Sequence, residues 1–280
     1  MSFMNANVTI ASPQKPSFPV IQWLNGNPAL KKEGGIGYTG GFFLPADSGH
    51  TLPGGELHTL VTSDGREVEG TGKQSLKFAC VRIRRCWVAN TANGTRKFHI
   101  GDYDSAASHG YARTLTHLLV DIEGMNTLAI ITMRGYVSKT LSGRDGLIRN
   151  FVDKVVNEAS RVSRSNGVSK QFPICAFTMS LGSKTTGGKP VYTEVGSKNK
   201  SKVTLPTMIL PETVDGAALE EMYVGAERFE KLQVDYEESL EWYQAWSEKG
   251  LNGEAEEAKA EVKSNLSFVS GKLDDEEIPF

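Results

Sequence analysis

The chain has 280 residues, enough to bury a sizeable core, and a formal charge of only −2. That near-balance hides an asymmetry: residues 1–211 carry 25 Lys and Arg against 14 Asp and Glu, net +11, and residues 212–280 carry 6 against 19, net −13. Cys80, Cys86 and Cys175 form no CxxC pair and no metal spacing with the five histidines, which excludes a disulfide framework and a zinc module and points to a reducing compartment.

Residues 1–17 are polar, contain Pro13 and Pro16, and read as a loose arm. They lack a charged segment followed by a long apolar run, so no signal peptide is expected. No apolar stretch reaches membrane-spanning length, and the expected location is the cytoplasm. The body, residues 18–211, then presents extended segments at Phe18–Leu24, Ile36–Leu44, Leu57–Thr62, Leu76–Ala89, Leu115–Ile122 and Leu128–Lys139. Gly- and Asn-rich turns such as Asn25-Gly26, Asp64-Gly65 and Asn93-Gly94 separate them. Ser142–Val162 predicts the first helix, with Ser142 as N-cap and Ile148, Phe151, Val152, Val155, Ala159 and Val162 on one apolar face. Three further strands are expected at Phe172–Leu181, Val191–Val195 and Val203–Leu210.

Between Val214 and Trp246 the pattern becomes a long acidic helix. Leu219, Met222, Ala226, Phe229, Gln233, Tyr236, Leu240 and Tyr243 recur every three or four residues, the seam of a helix lying on something. That something is either the chain's own β-body or a second copy. The acidic helical region is taken as residues 212–249. Residues 250–272, rich in Gly, Glu, Ala, Lys and Ser, bury too little surface to offset their ordering entropy and read as a flexible linker.

The last segment, 273–280, holds four consecutive carboxylates, Asp274, Asp275, Glu276 and Glu277, then Ile278, Pro279 and Phe280. Four carboxylates cannot enter a core unpaired. Proline holds the Ile278-Pro279-Phe280 end extended, so it offers an apolar ring and an α-carboxylate on one residue to a basic pocket. A solvated acidic terminus is the bland alternative. The segment resembles the tail of bacterial and phage single-stranded DNA-binding proteins, whose chains end in an acidic run followed by Ile-Pro-Phe. The resemblance covers these eight residues. It implies a body that binds single-stranded DNA and a tip that recruits host or phage replication, recombination or repair proteins. Together with strands divided by a helix, it suggests a mainly β, α+β fold built on an elaborated oligonucleotide-binding (OB) barrel.

Parity along the strands suggests where DNA would lie. The even positions of Leu76–Ala89 place Phe78 beside Arg82 and Arg84, and the end of Leu128–Lys139 offers Arg134, Tyr136 and Lys139. Aromatics beside arginines opposite an apolar face suit base stacking with phosphate contacts; Trp23, Tyr38 and Phe42 would extend that platform. The plain alternative makes these aromatics core and the arginines surface charge. A bulge near Arg84-Arg85 would swap the parity. Lys184 and Lys189 sit in a glycine-rich turn that can meet phosphate backbone, but Gly188 occupies the place a phosphate loop gives to lysine. The GxGxxG match at Gly35, Gly37 and Gly40 precedes β-favouring Phe42 and Phe43 and is not expected to be a dinucleotide site. No catalytic constellation is visible and no cofactor or metal is expected; Asp102 and Asp104 alone do not make a metal site. The competing reading from another class is an adaptor that occupies docking pockets with the same tail without binding DNA.

Overall fold

The computed structural model describes residues 18–26, 36–62, 65–91, 94–165, 167, 170–187, 189–195 and 201–244. The arm at 1–17, the linker at 250–272 and the tip at 273–280 lie outside the described residues. In chain order the elements are β1 (Val20–Leu24), α1 (Ile36–Thr39), β2 (Gly41–Pro45), β3 (Glu56–Val61), β4 (Glu67–Lys73), β5 (Ser75–Thr91), β6 (Gly94–His99), α2 (Tyr103–Ala107), β7 (Ala112–Asp121) and β8 (Ala129–Arg134). There follow α3 (Gly135–Ser142), α4 (Leu147–Phe151), a π-turn (Val152–Val156), α5 (Asn157–Ser165), β9 (Thr178–Ser183), β10 (Thr185–Thr186), β11 (Lys189–Pro190), β12 (Tyr192–Val195), β13 (Ser201–Thr204) and β14 (Pro206–Met208). Three helices, α6 (Gly216–Met222), α7 (Ala226–Glu238) and α8 (Leu240–Gln244), close the described chain.

A ten-stranded sheet runs in the order β14-β9-β5-β7-β8-β1-β2-β4-β3, with β6 also paired to β5. Every pairing in it is antiparallel except β1 with β8. The fold is thus mixed α and β around one large, mostly antiparallel sheet. Strand β5, 17 residues long, is its hub, meeting β9 through Ser75–Ala79, β7 through Ala79–Ala89 and β6 through Cys86–Thr91. Its Phe78, Val81, Ile83, Trp87 and Val88, β-branched and aromatic, favour a buried strand. The core gathers Ile21, Phe42, Phe78, Leu118, Ile131, Phe151 and Leu181, all fully buried or nearly so.

Helices cover both faces of β7. On one face, Thr116 Oγ1 shares hydrogen bonds with Ser138 Oγ at 2.7 Å and Ser142 Oγ at 2.6 Å, which seats α3. On the other, reached by the alternating residues His117, Leu119 and Asp121, lies the strap made by α7 and α8. Arg228 on α7 binds Asp121 Oδ2 at 2.6 Å, and Phe229 and Leu232 are buried beneath it.

Four local expectations change in the structure. The strand expected to reach Lys139 stops at Arg134, because Gly135 takes φ +57°, a left-handed conformation that turns the chain into α3. Ser142 therefore ends a helix rather than capping one. The predicted 142–162 helix is α4, a π-turn and α5; the extra residue of the π-turn brings Val156 to the buried face beside Ile148, Phe151, Val155 and Ala159. The predicted 214–246 helix is three pieces: Val224 N–H donates to Ala176 O at 3.1 Å and Tyr223 bridges Phe177, so the chain leaves the helix to pair with the β-body. The segment expected to be extended over Ile36–Leu44 begins as α1 and becomes β2 only at Gly41, where the chain turns a packed corner. A Cβ on Gly41 would lie 2.6 Å from both Lys73 O and the Ile36 side chain, a crowding that only glycine avoids.

Candidate nucleic-acid interface

Parity on β5 breaks once. The register against β7 shifts between Cys80 and Arg82, a β-bulge four residues earlier than the place where one was considered. Ala79 pairs with Asp121 and Arg82 with Leu119, two residues away on the same face of β7. Arg82 and Arg84 therefore share the strap-facing side of the sheet, and Phe78 points the opposite way. The expectation that Phe78 stands beside the two arginines is corrected: it is fully buried in the core.

The register then assembles a cationic face. Arg84 pairs across to His117, His117 to Thr132 and Thr132 to Gln22. One row along, Cys86 pairs with Leu115 and Leu115 with Arg134. In the next row Val88 lies between Lys97 and Arg113. Arg84, Lys97, Arg113 and Arg134 thus come from four strands onto one surface. His117 sits buried at its centre, its pKa held well below the usual imidazole value, first by desolvation and then by the positive charges of Arg84, Lys97 and Arg134. Arg84 Nη2 lies 3.4 Å from His117 Nδ1. A guanidinium can only donate, so Nδ1 accepts and the ring proton resides on Nε2. The hydroxyl of Thr132, next in the row, is buried with no hydrogen-bond partner among the described residues.

The strap occupies one edge of this face. Arg82 Nε donates to Ser239 Oγ at 2.9 Å and to Tyr236 O at 2.9 Å, Arg82 Nη2 also donates to Tyr236 O, and its Cζ lies 3.7 Å from the centre of the Tyr236 ring. Arg84 Nη1 donates to Trp242 O at 2.7 Å, and its Cζ lies 3.6 Å from the Trp242 ring centre. Each guanidinium is stacked on an aromatic ring and bonded in its plane to a carbonyl. Both arginines are buried in this arrangement. Aromatic partners for the arginines were expected on neighbouring strands; the structure supplies them from the C-terminal helices.

The other predicted contact residues scatter. Phe42 is fully buried, and Trp23 meets it edge-on with centroids 5.1 Å apart while donating Nε1–H to Thr204 O at 3.0 Å, so both belong to the packed interior rather than to a stacking platform. Tyr38 lies in α1, not on a strand. Tyr136 and Lys139 lie on α3, against the opposite face from the arginines. Arg134 remains with Arg82 and Arg84 and is exposed. Lys184 and Lys189 are exposed on the β10–β11 hairpin, Lys184 at its foot. Sequence reasoning missed Lys97, Arg113 and His117, because only the pairing of β6 and β7 with β5 brings them beside Arg84; it also missed the roles of Tyr236 and Trp242. Among the described residues no three His, Cys, Asp or Glu side chains converge as metal ligands, and no helix is long and apolar enough to cross a membrane. Comparison with family models, with curated proteins and with solved structures returns no match for this chain.

Proposed function

We propose that the chain binds single-stranded DNA without reading its sequence, and that the acidic segment 273–280 recruits replication, recombination or repair proteins. The observation that carries the first half is the cationic sheet face, on which Arg84, Lys97, Arg113 and Arg134 surround a neutral, buried His117. Lys97, Arg113 and Arg134 offer contacts to successive phosphates, Arg84 joins them only where the strap gives way, and the electrostatic term they supply is independent of base identity. The OB-like part of the reading rests on the tail resemblance together with strands divided by a helix in a mostly antiparallel sheet. The recruiting half rests on the resemblance of residues 273–280 to single-stranded DNA-binding protein tails, in residues beyond those described. The exposed Val234, Leu240 and Tyr243 support a contact between copies of the chain through the strap.

The adaptor reading keeps one specific support: Arg82 and Arg84, the most aromatic-rich part of the face, are already engaged by the strap. Titration of a fluorescent oligo-dT and of a duplex of equal length with the full chain separates the two. DNA binding requires tighter association with the single strand and a log–log salt slope of about −0.7 for each phosphate neutralised. No association at low salt leaves the adaptor.

A further inference from the structure

We propose that Arg82 and Arg84 form a nucleotide subsite that the end of α7 and α8 occupy in the free protein, with Trp242 in the place of a base and the Trp242 and Tyr236 carbonyls in the place of phosphate oxygens. The inference rests on the single-strand-binding reading above and assigns its regulation to a segment of the described fold. Three observations carry it.

The first is chemical. A guanidinium that stacks on an aromatic face and donates in-plane to an oxygen makes the pair of contacts a nucleotide would offer it: a π-face and an anionic acceptor. Arg84 makes both with the single residue Trp242, at 3.6 Å and 2.7 Å. Arg82 makes both with Tyr236. The second is continuity. Arg84 is the cross-strand partner of His117 and shares its face with Lys97 and Arg134, so a strand lying along those cations runs into the place where Trp242 sits.

The third is unequal anchoring along the strap. The first part of α7 is fastened by buried Phe229 and Leu232 and by the Arg228–Asp121 ion pair. After Ser239, α8 buries no side chain fully, and Leu240 and Tyr243 are exposed. What holds α8 to the sheet is Trp242, half-buried against the core and bonded to Arg84, with Arg82 fastening the turn before it through Tyr236 and Ser239. A segment with few buried apolar contacts opens locally at a small fraction of the cost of global unfolding. The strap also carries the right charge for a competitor, since residues 226–244 hold six Asp and Glu against Arg228 and Lys231. A nucleic acid that must displace α8 binds with an affinity reduced by the fraction of open molecules.

The test uses the full-length chain, its Trp242→Ala and Arg84→Gln variants, and the double variant, each titrated with fluorescent oligo-dT, alongside hydrogen exchange of residues 236–244 in the unmodified chain with and without the oligonucleotide. Trp242→Ala should bind about fivefold more tightly or better, the gain should vanish when Arg84→Gln is added, and oligonucleotide should raise exchange in 236–244. Binding by the unmodified chain with no gain in Trp242→Ala and unchanged exchange overturns the subsite while leaving single-strand binding in place. No binding by any form overturns both.

Discussion

The indole of Trp242 covers the guanidinium of Arg84 at 3.6 Å while the carbonyl of the same residue accepts its Nη1–H at 2.7 Å. The two residues are 158 positions apart, and their contact fastens an acidic helical strap to β5, the strand with the most pairing partners in the sheet. A double-mutant cycle with Arg84→Met and Trp242→Leu isolates the stacking, because the main-chain acceptor survives in Trp242→Leu. The expected coupling, read from denaturant midpoints, is about 0.5–2 kcal/mol for a cation–π pair removed from water. A coupling near zero means that the stacking adds nothing and that Arg84 holds the strap through the Trp242 carbonyl alone.

Phe78 separates the packed reading from the stacking one. Its side chain is fully buried in the core, so Phe78→Ala should cost about 3–5 kcal/mol of stability. Phe78→Leu, which keeps most of the volume, should fold and bind oligonucleotide as the unmodified chain does. A well-folded Phe78→Leu protein with selectively weakened binding would contradict the burial argument.

His117 predicts an acid-side loss of stability. Burial, and then the charges of Arg84, Lys97 and Arg134, lower its pKa far below the usual value in the folded state. The unfolded chain regains a pKa of about 6.5 and takes up a proton that the folded chain refuses. Stability contributed by the neutral ring is thus present above about pH 6.5 and falls as pH drops, by up to about 1.4 kcal/mol per pH unit. Urea midpoints at pH 7.5 and pH 5 should diverge more for the unmodified chain than for His117→Gln. Equal divergence means that His117 charges in place.

The acidic segment should act on proteins, not on the sheet face. Deleting Phe280 removes an apolar anchor worth about 1.5–3 kcal/mol of a contact on the micromolar scale, about −8 kcal/mol. The deletion should abolish retention of purified replication or repair proteins on the immobilised chain while leaving oligo-dT affinity unchanged. Retention of those proteins by the shortened chain reduces the segment to a solvated acidic run.

Periodicity and composition alone determined that β-strands dominate residues 18–134, that Ile148, Phe151, Val155 and Ala159 share a buried helical face, and that an acidic helical region carries an apolar seam; that the seam rests on the chain's own β-body was decided by the tertiary structure. These are local properties: the spacing of apolar residues decides which side of an element leaves water, whatever it then meets. The bulge after Cys80 was not legible, since one inserted residue leaves no trace in composition yet sends Phe78 into the core and Arg82 and Arg84 to the other face. Nor was the breaking of the acidic helix at Tyr223–Val224, which answers to Ala176 and Phe177 some fifty residues away. The cationic face belongs to the tertiary structure alone. Lys97, Arg113, His117 and Arg134 are distant along the chain, and only strand register, with alternation of side chains across the sheet, sets them beside Arg84. Charge summed along the sequence separated a basic body from an acidic end; the register decided where the positive charges meet and which ring lies over them.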